Sequence, residues 1–155
     1  MNKIEVPFVR QTLKDSCGPA CIGMLLKFHG EKLGKNKADR GVIRKFGFSK
    51  YRGMFFEEEV WALAKRGYNV ILLTNFEGYR GKTKKEILAN IKKSIKTWKP
   101  GLREKATFHG RVPKNEVWGL PIIKAVKSGK CRTIFKPQLS HLKKFVKLGK
   151  PPIVA

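Results

Sequence analysis

Gln11-Thr12-Leu13-Lys14-Asp15-Ser16-Cys17-Gly18-Pro19-Ala20-Cys21-Ile22-Gly23-Met24-Leu25-Leu26-Lys27-Phe28 is the segment on which the reading of this chain turns. Asp15 and Ser16 are good N-cap residues, and apolar positions follow at Cys17, Ala20, Cys21, Met24, Leu25 and Phe28. Spacings of three and four predict a helix that turns this face to a core, and Gly30 stops it. Pro19 in the first turn costs little, because the N–H it lacks would have no partner there. The helix therefore begins at a cysteine, with Gln11 six residues upstream.

Outward from this segment, residues 4–10 read as an extended lead-in in which Pro7 excludes a central strand. A second helix is expected over 37–46, with Val42, Ile43 and Phe46 on one side. Phe56, Val60, Leu63 and Ala64 mark a third, with Glu57, Glu58 and Glu59 in its first turn complementing the dipole. Residues 68–73 then predict a buried strand. Thr83 and Glu86 form a capping box for a long helix bearing Ile87, Leu88, Ile91, Ile95 and Trp98. Lys84, Lys85, Lys92, Lys93, Lys96 and Lys99 occupy its other faces. Residues 99–121 are irregular, a short helix follows over 121–127, and 131–135 reads as a strand. Ser140 opens a last helix with Leu142, Phe145 and Val146, and Pro151 begins another strand. The pattern is α/β, and residues 1–155 are expected to form a single domain.

Composition narrows the classes. The apolar runs are too short to cross a bilayer, and the N-terminus has no secretory signal pattern, so a soluble cytoplasmic protein is expected. Three cysteines (Cys17, Cys21 and Cys131) do not make a disulfide framework, and no metal-ligand spacing joins them to His29, His109 or His141. Neither a metal nor a cofactor is expected. With 35 basic and 11 acidic side chains the formal charge is +24, which attracts polyanions weakly. No base-reading module accompanies that charge, so a solvated lysine surface is its simplest meaning.

The chemistry concentrates at Cys17. A helix N-terminus stabilises a thiolate through unpaired N–H groups and the positive end of the dipole. Gly18 leaves room for a substrate carbonyl, while the Cys17 N–H and the Gln11 amide can donate to a developing oxyanion.

At these residues the chain resembles the papain-like cysteine peptidases, in particular the double-glycine, bacteriocin-processing branch. There a Gln precedes the Cys-Gly-Pro turn by the same six residues. Val6-Pro7-Phe8-Val9 resembles that family's lead-in, and residues 142–154 resemble its helix–Gly-x-Pro–strand element. The resemblance implies an α+β fold, a helical half packed on a small antiparallel sheet, here lacking its C-terminal strands. It implies a thiol protease, a hydrolase of peptide substrates cleaved after Gly-Gly. Gln11 would line the oxyanion hole and Cys17 would form the thioester. The family's histidine opens a strand after the Gly-x-Pro strand, where this sequence has already ended. His109 and His141 are weak substitutes, and His29 would lie ~18 Å from the thiol along the helix. Two alternatives follow: a catalytically incomplete papain-like module that binds peptides, and a basic nucleic-acid-binding domain built on the lysine-faced helix.

Overall fold

A computed structural model describes residues 4–14, 16–33, 38–46, 55–97 and 116–151. The elements in chain order are α1 (Cys17–Phe28), α2 (Ala38–Phe46), α3 (Phe56–Lys65), β1 (Val70–Thr74), a 3-10 turn (Glu77–Tyr79), α4 (Lys84–Thr97), α5 (Glu116–Lys127), β2 (Cys131–Phe135) and α6 (Leu139–Lys147). They are distributed over two compact units, residues 1–59 with 138–155, and residues 60–137. The fold is α+β, and among the described residues no helix is long and apolar enough to cross a membrane.

The first unit is built on the packing of α1 against α2. Val9, Ala20 and Ala38 form a buried cluster, with Met24 and Leu33 against it. Gly23 faces this contact, where a Cβ would stand in ordinary van der Waals contact, 3.4 Å from Val9 Cγ1 and 3.6 Å from Val42 Cγ2. The face that α1 buries matches the expected one only at Ala20. Gly18, Pro19, Ile22, Gly23 and Leu26 are buried with it, whereas Cys17 is exposed and Cys21, Met24, Leu25 and Phe28 are only half-buried. The helix is apolar around most of its circumference, so periodicity alone could not choose a side. Its end is as expected: Gly30 N–H donates to Lys27 O (2.9 Å) and Glu31 N–H to Leu26 O (2.8 Å), a Schellman closure. Glu31 then pairs with Lys45 of α2 at 2.9 Å. Helix α6 starts just before the expected Ser140, with Gln138 as its N-cap and a reciprocal capping box to His141.

In the second unit β1 and β2 form a two-stranded sheet with Val70 opposite Cys131 and Thr74 opposite Phe135. The sheet is parallel, which corrects the antiparallel sheet expected above. Each strand follows a helix through a tight turn (66–67 and 128–129) and enters the sheet from the same end. Only a long crossover can join strands so arranged, and the 3-10 turn, α4 and α5 belong to it. The ladder is prolonged by Val70 N–H to Lys130 O (2.7 Å) and Lys136 N–H to Thr74 O (3.0 Å).

Helix α4 begins with the expected capping box: Thr83 Oγ1 accepts from Glu86 N–H (3.2 Å), and the Glu86 carboxylate accepts from Lys82 N–H (2.9 Å). Its buried side carries Ile87 and Ile91. Helix α5 begins at Glu116, so the helical part of the stretch expected to be irregular is longer than the sequence suggested; Trp98, Lys99 and residues 100–115 lie outside the described residues. Pro121 falls inside α5 rather than at its start, forfeiting one backbone hydrogen bond. Burial of Ile122, Ile123, Ala125 and Val126 offsets that loss. Lys84 Nζ caps the other end of α5 by donating to Lys127 O (2.6 Å). The strand expected from Pro151 runs into residues 152–155, which are also outside the described set.

Gly119 sets the approach of α5 to α4, because a Cβ there would collide with the Ile95 side chain. Gly119→Ala is expected to destabilise this unit by about 1–3 kcal/mol, the usual cost of overpacking a close contact. Urea unfolding checks this, and an unchanged midpoint would show that the contact relaxes freely.

Candidate active site

Residues 11–16 form a loop held by one carboxylate. Asp39, in the first turn of α2, is fully buried. Its Oδ2 accepts from the Thr12 N–H (2.7 Å) and the Ser16 hydroxyl (2.6 Å), and the Thr12 hydroxyl lies 2.9 Å from both carboxylate oxygens. Burial alone would push the Asp39 carboxyl up. Hydrogen bonds from Ser16, from the Thr12 backbone and hydroxyl and from the Arg40 backbone outweigh it and hold the group below its ordinary value. Asp39 thus stays ionised on these donors and the α2 dipole, with no salt bridge to it among the described residues.

The network changes how α1 begins. Ser16 occupies the N-cap position but makes no side-chain cap to the helix. Its hydroxyl donates to Asp39 and accepts from Leu13 N–H (3.2 Å) instead. Asp15, the other expected cap, lies outside the described residues. The first turn of α1 is therefore not quenched by Ser16, and Cys17 stands at its first position with an exposed side chain. Gln11 is held in the same loop, with Nε2 donating to Leu13 O and Lys14 O, both at 2.6 Å. Both of its N–H groups are turned onto the loop's own carbonyls.

No protein-family model, curated protein or solved structure matches the chain.

The three thiols are sharply distinguished. Burial pushes Cys131, in β2, up to about 11. Cys21, one turn beyond Cys17, is raised by burial first, then by the Glu59 carboxylate, then by Cys17. Among the described residues the Cys17 thiol has no hydrogen-bond partner. Glu59 itself is buried and pushed up to about 7, by burial first and then by Glu57 and Glu58. It therefore changes charge near neutrality, close to Cys21.

Of the histidines, His29 follows the far end of α1, edge-on to Phe28 with ring centroids 5.2 Å apart. His141 Nδ1 accepts the Gln138 N–H at 3.0 Å, so that nitrogen is committed to capping α6. His109 is outside the described residues. Among the described residues no group of His, Cys, Asp and Glu could hold a metal ion.

Asp39 and the burial of Glu59 were not foreseen from sequence. The available signal for Asp39 was that it is the sole acidic residue between Glu31 and Glu57, placed where a helix dipole favours an anion.

Asp39→Ala is expected to cost about 2–4 kcal/mol in urea unfolding, because it strands buried donors on Thr12 and Ser16. The stabilisation from Asp39 is present above the ordinary carboxyl range and is lost as pH falls through its depressed value. Glu59 has the opposite sign. Its carboxyl ionises near 4.5 when unfolded and about 7 when folded, so the folded state holds the extra proton between those values. Stability then falls as pH rises through that window. Glu59→Gln should flatten this slope in thermal melts and be more stable than the parent at pH 8, on the order of 2 kcal/mol. Parallel pH profiles for the two proteins would refute the assignment.

Proposed function

We propose that the chain is a papain-like cysteine peptidase in which Cys17 forms an acyl-enzyme with a peptide substrate. The observation that carries this reading is an exposed thiol at the first position of α1, next to a loop locked by Asp39, where Ser16 does not cap the helix. Helix N-termini in general favour a thiolate, through unpaired N–H groups and the positive end of the dipole.

In the proposed reaction Cys17 Sγ attacks the carbonyl carbon, and the tetrahedral oxyanion accepts hydrogen bonds from Cys17 N–H and Gln11 Nε2. The C–N bond breaks, the amine leaves with a proton, and water hydrolyses the thioester. Gln11 must give up the carbonyl of Leu13 or Lys14 to take part. An oxyanion is the stronger acceptor, so the exchange is favourable once charge develops. A histidine brought by another segment or another chain takes the thiol proton as general base and returns it to the leaving amine. Peptides cleaved after Gly-Gly are the substrate class that the sequence resemblance supplies.

A second reading, a peptide-binding module without turnover, is favoured by the commitment of both Gln11 donors and by the engagement of His141 Nδ1 in a cap.

Iodoacetamide mapping by mass spectrometry should label Cys17 well before Cys21, and Cys131 last. A Gly-Gly p-nitrophenyl ester, whose leaving group needs no proton, should give an adduct on Cys17 in a single turnover. Gln11→Ala should slow that acylation by about 10²-fold, the usual effect of losing one oxyanion donor. Equal labelling of all three thiols, or acylation that survives Cys17→Ser, would overturn the proposal. Acylation by the ester without cleavage of the corresponding peptide selects the second reading.

A further inference from the structure

The second unit carries most of the positive charge, and its charge is arranged. Between residues 60 and 137 there are 19 basic and 4 acidic side chains. Helix α4 exposes Lys85, Lys92, Lys93 and Lys96. At 100° and 1.5 Å per residue, Lys85, Lys92 and Lys96 fall within an arc of about 40° and form a stripe about 17 Å long. The single acid of α4, Glu86, stands in its first turn, where its carboxylate accepts from Lys82 N–H, and leaves the helix with a large excess of lysine.

Lys93 leads from this stripe into a cleft of about 350 Å³ between the 3-10 turn and α4, lined by Glu77, Arg80, Asn90, Lys93, Ser94 and Thr97. Two cations, two hydroxyls and an amide face one carboxylate there, and Glu77 lies 3.6 Å from Arg80. Arg80 also connects the cleft to aromatic surface, with its guanidinium carbon 5.6 Å from the Phe135 ring centroid. Lys136 lies over the same ring, also at 5.6 Å. It is held at φ +49, the sole non-glycine residue with positive φ among the described residues. Such a conformation is costly, and costs of this kind gather at functional sites. Phe76, edge-on to Tyr79, keeps 42% of its surface exposed.

We propose that this unit binds single-stranded nucleic acid, with phosphates along Lys85, Lys92 and Lys96 and into the Arg80–Lys93 cleft, and a base stacked on Phe76. A cationic track beside an exposed ring suits unpaired strands, because every base offers a π-face and the backbone supplies the charge. A duplex hides those faces. An acidic peptide would satisfy the lysines but would offer no flat base to stack on the exposed part of Phe76. The inference does not depend on Cys17.

The test is fluorescence anisotropy with a labelled twelve-nucleotide oligo-dT and the whole chain carrying Cys17→Ser, titrated at several salt concentrations. Changing Lys85, Lys92 and Lys96 together to Glu should weaken binding at least about 10-fold and reduce the salt slope by about 2, since each phosphate contact on a single strand contributes about 0.7. The same three changed to Gln, which add no repulsion, should give the same loss of slope. Phe76→Ala should weaken binding about 5-fold with the slope unchanged, a response that a purely electrostatic surface does not give. Thermal melts establish that each variant is folded. Slopes unaffected by either triple variant would overturn the proposal, as would a Phe76→Ala variant of parental affinity. Equal competition by polyglutamate or by duplex of matched charge would also overturn it.

Discussion

A charged carboxylate sealed from water carries a large desolvation cost, and Asp39 meets it with donors drawn from a segment far away in sequence. The cost falls if the 11–16 loop is in place and rises if it is not, so loop and helix stabilise each other cooperatively. Two consequences reach the thiol. Thr12 and Ser16 hold the start of α1 against α2, and the best capping hydroxyl is withdrawn from the helix it introduces. The cap that would have neutralised the first turn is used instead as a strut. Cys17 inherits a fixed position and an end of the dipole that Ser16 has not screened.

Glu59 and Asp39 show two outcomes of burying the same functional group. Asp39 has donors in hand, and they hold its carboxyl below the ordinary value. Glu59 has two carboxylates as neighbours in its own helical turn, Glu57 and Glu58, and holds its proton towards neutrality. The thiols divide in a similar way. Cys131 is sealed in the sheet, Cys21 is discouraged from ionising by burial and by Glu59, and only Cys17 combines exposure with a helix N-terminus.

What the sequence made legible was local. The span of α1, its closure at Gly30, the capping box of Thr83 and Glu86, and both strands follow from neighbours within a few residues. What it hid was relational. Nothing near Asp39 announces Thr12 and Ser16, which lie 27 and 23 residues away. The orientation of α1 about its axis was equally hidden, because Ile22 and Leu26 are as apolar as the Met24 and Leu25 that were expected inside. Pro121 was read as a helix start by its own chemistry, and packing on α4 overrode it. The direction of the sheet depends on a crossover whose path no local pattern specifies. The position of Cys17 was recoverable from its own segment, and the carboxylate that fixes it was not.

The parallel register of Val70–Thr74 with Cys131–Phe135 also governs the order in which the chain can assemble. Neither strand can find its partner until everything between them has been made and drawn together, a closure of high contact order. During synthesis, β1 leaves the ribosome long before β2 exists, with its ladder groups unsatisfied. Helix α4 can form locally in that interval. Formation of this unit is therefore tied to the emergence of residue 135, whereas α1 and α2 have what they need for mutual packing once residue 46 is out.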